Sequence, residues 1–160
     1  MKPDKLDMVI MSHLQKDGRK SFTDIAKELN IAKNTVRNRV TRLQESGLLQ
    51  IIGWVDPTAV GYTSPALIQI AIEPPNLIEE AAESLSQLPE ARFVAMMTGE
   101  YPIIVDIRCR DRDHLTELIT KRIYKIPGVI SMRTNTYLHI YKYGPSRVDL
   151  ADRDDVDRSK

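Results

Sequence analysis

Residues 21–47 read SFTDIAKELNIAKNTVRNRVTRLQESG, and the fold of the chain turns on how this stretch divides. It reads as two helices joined by a tight turn. Ser21 is placed to cap the first helix, with Asp24 three residues on as a short version of the capping box. Ile25, Ala26 and Leu29 repeat at helical spacing and form a buried stripe. Asn30 tolerates a left-handed backbone and stops the helix. A new period starts near Ala32 and keeps Val36, Val40 and Leu43 on one face until Gly47 ends it.

At about 100° per residue, Asn34, Arg37, Asn38 and Thr41 point away from that apolar stripe. Lys33 sits in the first turn, and Arg39 and Arg42 flank the stripe. The outward set holds no Asp or Glu. Arg and Asn are the side chains that pair bidentately with guanine and adenine edges in the major groove, and Thr contacts a base or a phosphate. A second helix with these groups in its N-terminal half is how a helix-turn-helix reads duplex DNA. The plainer reading is a solvated polar face on an ordinary helical hairpin.

The 160 residues suffice for one ordinary domain or two small ones, and 42% apolar with 28% charged residues is globular. No apolar run approaches the roughly 20 residues that span a bilayer. The start MKPDKLDMVIMSH lacks a signal-peptide pattern, so a cytoplasmic protein without membrane association is expected. The single Cys109 excludes an internal disulfide. Net charge is only +1, but residues 1–52 carry +4 and residues 53–160 carry −3. A basic first part beside an acidic remainder fits a DNA-reading domain joined to something else.

In chain order, residues 4–16 form the first helix, with Asp4 as cap, Asp7 favouring the helix dipole, and Leu6, Val9, Ile10 and Leu14 as core face. His13 reads as a surface or packing residue, and Phe22 completes the small core. Residues 48–57, LLQIIGWVDP, read as a strand, either a wing or a connector, with Trp54 as a packing anchor. Strands are then expected at Ala66–Ile72, Ala91–Thr98, Ile103–Cys109 and Val129–Tyr141, with helices at Asn76–Leu88 and His114–Ile126. In the third strand Ile103, Val105, Ile107 and Cys109 alternate with Ile104, Asp106 and Arg108. The order β-α-β-β-α-β is the ferredoxin-like arrangement, whose two helices cover one sheet face and leave the other for solvent or a partner. Tyr137, His139 and Tyr141 alternate along the last strand and point to a partner. The fold class is α+β, a (winged) helix-turn-helix joined to a ferredoxin-like sandwich. The expected division is 1–52 for DNA binding, 53–62 as strand linker, 63–143 for ligand binding and oligomerisation, and 144–160 as a charged, largely disordered tail.

Residues 4–47 resemble the N-terminal half of the leucine-responsive regulatory protein/AsnC family of transcription regulators. The matching residues are Asp4, Asp7 and Ile10, then Asp17-Gly18-Arg19, Ile25-Ala26, Thr35-Val36, Arg39-Val40, Leu43 and Gly47. Thr98-Gly99-Glu100-Tyr101 and Ile126-Pro127-Gly128-Val129 resemble two turns of the same family's effector domain. The resemblance covers residues 4 to about 142. It implies sheet faces paired in homodimers, dimers assembled into octamers, and an effector, usually an amino acid, bound near the Gly-x-Tyr turn and the last strand. In this family the strand after the helix-turn-helix contributes to dimer contacts. Ala32 stands where the family usually has a capping Ser, a loss of roughly 1 kcal/mol. Pro102 stands where the family commonly has Asp, so neither that carboxylate nor an N–H donor is present.

The candidate DNA-contacting residues are therefore Lys33, Asn34, Thr35, Arg37, Asn38 and Thr41, with Arg39 and Arg42 as phosphate partners. Around the turn, backbone N–H groups near Gly99 suit an effector carboxylate and Glu100 its ammonium, beside Tyr101 and Pro102. Thr134, Asn135 and Thr136 are expected to line the same pocket. No cofactor or metal is expected, because His13, His114 and His139 lie in different elements without ligand spacing. No phosphate loop or nucleophile elbow is present. Three other readings compete with a sequence-specific regulator: a low-specificity architectural DNA-binding protein, a sensing module that has lost DNA binding, and an enzyme similar to siroheme decarboxylases. The last would use Arg108, Arg110, Arg112, His114 and His139 as basic groups.

Overall fold

The structure is a computed structural model that describes residues 2–142, 144 and 146–148. The chain divides into two compact units. Val55–Lys142 form one, and the described residues up to Trp54 form the other together with residues 144 and 146–148.

The first unit holds α1 (Lys5–Lys16), α2 (Phe22–Glu28) and α3 (Lys33–Glu45). Asp4 caps α1 reciprocally with Asp7: each carboxylate accepts the other's backbone N–H, at 2.8 and 3.1 Å. Ser21 caps α2 by accepting the Asp24 N–H at 3.1 Å. Asn30 reverses the chain in the left-handed region, at φ 52°, and Gly47 ends α3 at φ 73°. Ile10, Leu14, Ile25, Ala26, Val36 and Val40 form the core, with Phe22 and Leu29 packed on it. Val9, read onto that core face, is instead exposed.

Residues 48–57 form no strand. No described segment offers them a ladder, and Ile52, Trp54 and Val55 stay exposed; apolar composition alone does not make a strand without an edge to pair with. Further on, Gln15 of α1 donates to the Ser146 carbonyl at 2.6 Å and accepts from the Val148 N–H at 2.9 Å. The start of the expected disordered tail is thus bonded to α1, and residues 149–160 lie outside the described residues.

The second unit is a four-stranded antiparallel sheet in the order β2-β3-β1-β4. Its strands are β1 (Ser64–Ile72), β2 (Ala91–Met96), β3 (Ile103–Cys109) and β4 (Val129–Thr136). Two helices, α4 (Ile78–Ser86) and α5 (Arg112–Glu117), belong to the same unit. A π-helical turn, Leu118–Arg122, and a 3-10 turn, Ile123–Lys125, carry α5 onward, so the helix read at 114–126 is not a uniform α-helix. Ala66, Ile68, Ile70, Ile103, Val105, Ile107 and Cys109 are fully buried with Leu85, Leu118 and Ile123. Burial pushes the Cys109 thiol up to about 11, so it remains a neutral core group. Gly128 has φ 86°, and a Cβ there would meet Ile72 and Leu77 at 3.0 Å, which is why Pro-Gly closes this turn.

The last strand ends at Thr136, not Tyr141. Ala66 pairs with Thr136, and the Tyr137 N–H still reaches the Pro65 carbonyl at 3.1 Å. Pro65 has no N–H to return and β1 starts one residue earlier, so the ladder stops. The expected alternation of Tyr137, His139 and Tyr141 is lost with it.

Glu90 ties the start of β2 to the second helical segment. Its carboxylate lies 3.2 Å from His114 Nε2, and Arg122 Nη1 donates to both its oxygens at 3.0 Å. Burial would raise this carboxyl; its own backbone N–H, His114 and Arg122 outweigh that and hold it below the usual 4.5. A depressed carboxylate contributes stability above its unfolded pKa and loses it as pH falls through the folded value. Replacing Glu90 by Gln therefore lowers the melting temperature most at neutral pH. The gap from wild type closes as pH falls below about 4, as read by thermal denaturation at stepped pH.

Candidate nucleic-acid interface and effector turn

The interface is built on α3. Val36, Val40 and Leu43 are buried, which fixes the roll of the helix. Lys33, Asn34, Arg37, Asn38 and Thr41 are exposed on the side away from the core, and Thr35 is half-buried. Glu45 follows one turn after Thr41 and is also exposed, so the acid-free strip covers the first turns of α3 rather than its whole length. The helix begins in an extended Ala32, φ −70° and ψ 140°, with no side-chain cap.

Arg39 and Arg42 lie on one flank and point toward the start of α1. Arg39 Nη1 donates to Asp4 at 2.6 Å and to Asp7 at 2.7 Å. Arg42 Nη2 donates to the other Asp7 oxygen at 2.7 Å. Asp7 is 1% exposed, Arg39 25% and Arg42 50%, so the pair is graded from interior to surface. The hydrogen bond and charge of Arg39 hold the Asp4 carboxyl below its ordinary value, and Asp4 and Asp7 raise Arg39. Sequence reading took Asp7 for a dipole residue and missed its burial. Nothing local announces that two arginines 32 and 35 residues further along the chain share its carboxylate.

In the second unit, Gly99 turns the chain at φ 109° and Glu100 is exposed beside it. The Pro102 carbonyl accepts the Met97 N–H at 2.8 Å and closes the turn. Tyr101 is half-buried, with the Arg133 guanidinium 5.2 Å from its ring centre. The register places Thr134 opposite Ile68 and Thr136 opposite Ala66, on the helix-covered face, while Asn135 sits opposite Leu67 on the open face. The three neighbours therefore do not line one pocket, because side chains alternate along a strand. Arg133, opposite Gln69, is the open-face residue of β4 that sequence reading passed over. Its alternation with Ser131 and Asn135 was the available signal.

Arg108, one of the basic groups of the decarboxylase-like reading, is not solvated. It is buried on the open face, bonded to Asp106 and to the Ile107 carbonyl, and its guanidinium lies 5.4 Å from the Tyr137 ring centre. Such a neutralised arginine is poorly placed to receive a tetrapyrrole carboxylate. Among the described residues no cluster of His, Cys, Asp or Glu could hold a metal ion.

A three-helix unit with an outward polar helix, followed by an open-faced α+β sandwich, defines a two-domain DNA-binding regulator. Residues 4–44 match the AsnC-type helix-turn-helix domain and residues 65–147 the Lrp/AsnC ligand binding domain. The chain belongs to the Lrp/AsnC family of transcription regulators. It is 33% identical over 146 residues to an uncharacterised helix-turn-helix-type transcriptional regulator of Pyrococcus abyssi, covering 91% of this chain and 92% of that one. It is 34% identical to the transcriptional regulator LrpA of Pyrococcus horikoshii, over 79% of this chain and 89% of LrpA. The structure of Escherichia coli AsnC superposes with a TM-score of 0.82 at 24% identity, covering 92% of this chain and 99% of AsnC. A Neisseria meningitidis transcriptional regulator in complex with L-Met superposes with a TM-score of 0.76 at 21% identity, covering 89% and 94%. The two Pyrococcus relatives and the Neisseria protein are all titled as transcriptional regulators. Among the described residues no helix is long and apolar enough to cross a membrane.

The extended Ala32 backbone already has the geometry of a cap. Ala32→Ser adds an acceptor for the open N–H groups of α3 and raises stability by about 0.5–2 kcal/mol, read as a higher urea midpoint at unchanged slope.

Proposed function

We propose that the chain is a sequence-specific DNA-binding regulator whose α/β unit senses an amino acid or a related small carboxylate. The observation that carries the first half is the strip Asn34, Arg37, Asn38 and Thr41. These side chains are exposed together, while on the neighbouring flank Arg39 is bonded to two carboxylates and Arg42 to one. Asn and Arg with free donors at the start of an outward helix suit base edges, and Lys33 suits a phosphate. A homodimer would present two such helices to half-sites one helical turn apart or multiples of it.

The effector half rests on the turn at Gly99–Pro102. Its supports are the exposed backbone at Gly99, the Glu100 carboxylate for an ammonium, and Arg133 held over Tyr101 as a cation for a carboxylate. The Neisseria relative is titled as an L-Met complex, which favours this ligand class. The sheet face left open among the described residues supports pairing into homodimers, which would assemble further into an octamer.

Arg37→Ala weakens binding to a site selected from a random duplex pool by about 1–3 kcal/mol and flattens preference at one base position, as measured by gel shift. Unchanged affinity and unchanged preference would remove Arg37 from base reading. Equal affinity of the wild type for selected and random duplexes would favour an architectural protein instead. For the effector, isothermal titration with a panel of amino acids yields at least one ligand whose affinity drops about tenfold or more in Arg133→Ala. Equal binding by both proteins places the carboxylate elsewhere.

A further inference from the structure

We infer that Asp7 is a positioning residue for DNA binding: from inside the core it grips Arg42 by one arm and aims the remainder of that guanidinium at a phosphate. The inference rests on the DNA-binding reading above and goes further by separating the roles of two arginines on one flank of α3.

Asp7 has two oxygens and both are used. One accepts Arg39 Nη1 at 2.7 Å; the other accepts Arg42 Nη2 at 2.7 Å and the Asp4 N–H at 3.1 Å. Arg39 is three-quarters buried, and its Nη1 serves both Asp4 and Asp7. It compensates two carboxylates and stays with the protein. Arg42 is half exposed, and among the described residues its Nη1 and Nε have no protein partner. A guanidinium offers five donors in a rigid plane, so anchoring Nη2 restricts the directions in which the remaining donors point. The bonded nitrogen meets a carboxylate held inside the core, while half of the Arg42 side chain remains exposed to solvent. An arginine held this way meets a phosphate oxygen with little rotamer freedom left to lose. Arg37, on the opposite flank, has no such tether among the described residues and is left for base contact.

The expected consequence is opposite in sign to simple electrostatics. Removing an acid from a DNA-binding face ordinarily strengthens binding to a polyanion. If Asp7 positions Arg42, Asp7→Asn weakens it. The test measures binding of the full chain to a random-sequence duplex by fluorescence anisotropy across a salt series. Phosphate contacts do not depend on sequence, so no operator is required. Arg42→Ala is expected to weaken binding about tenfold, the equivalent of one charge-assisted hydrogen bond, and to reduce the salt slope by about 0.9. Asp7→Asn, checked for folding by circular dichroism, is expected to give the same reduced slope, and adding Arg42→Ala to it to change nothing further. Arg42→Lys leaves Asp7 a cation and preserves the fold without the two-edged plane; it is expected to match Arg42→Ala.

A wild-type or steeper slope in Asp7→Asn overturns the inference. If that variant does not fold, a wild-type slope in Arg42→Lys overturns it. Wild-type protein that fails to bind duplex in a salt-dependent way overturns the DNA-binding reading and this inference together. Wild-type binding with a normal slope in Arg42→Ala overturns this inference alone.

Discussion

The carboxylate of Asp7 is the constraint on which the first unit depends. A charge with 1% exposure is tolerated only if it is paired and fully hydrogen-bonded. Both partners come from α3, seven and ten residues inside its flank from the N-cap, while the carboxylate sits in the first turn of α1. The apolar stripe of α3 sets its roll only as finely as side-chain packing allows. The ion cluster sharpens that setting, because two guanidiniums must reach two oxygens of one group. What faces outward is therefore decided by what is held inward.

The second unit solves a different problem. Its sheet is covered on one side by an apolar core of Ile, Val and Leu side chains. On the other side it keeps charged groups, but pins them: Arg108 between Asp106 and the Tyr137 ring, Arg133 over Tyr101. Arginine planes stacked on aromatic rings are ordered without being dry. A face so arranged has fixed donors available at its surface, which suits recognition of a partner or a small anion better than a mobile lysine fringe would. The bonded Asp106 removes Arg108 from that supply, and Arg133 keeps it.

Much of this was legible in the sequence because the signals are local. Ser21, Asn30 and Gly47 act through their own backbones or an N–H three residues away, and the structure places each of them where such chemistry requires. The alternation in Ile103–Cys109 marked the inner and outer faces of β3 directly. What failed depended on partners distant in the chain. Residues 48–57 have strand-like composition, but composition cannot supply an edge. Tyr137–Tyr141 continue a strand-like pattern past the point where Pro65 and the start of β1 withdraw the ladder. Asp7 looked like a dipole residue because only the folded three-helix unit brings Arg39 and Arg42 to it. The triplet Thr134–Thr136 was grouped by adjacency in sequence, which in a strand is the one arrangement that sends neighbours to opposite faces.

The allocation of cations follows from these same constraints and bears on how such a chain can bind a polyanion at a net charge of only +1. Of the basic residues on α3, one is absorbed by two carboxylates and a second is held by one edge. Lys33 and Arg37 are exposed and without a bonded partner among the described residues. The attraction for a phosphate backbone is thus concentrated on a few groups at fixed places. With so few phosphate contacts, non-specific affinity is modest and its fall with salt is shallow, so discrimination has to come from base edges or from several copies engaging at once. An oligomer carrying paired helices meets that requirement, since each added unit multiplies a weak contact without raising the charge of any one chain.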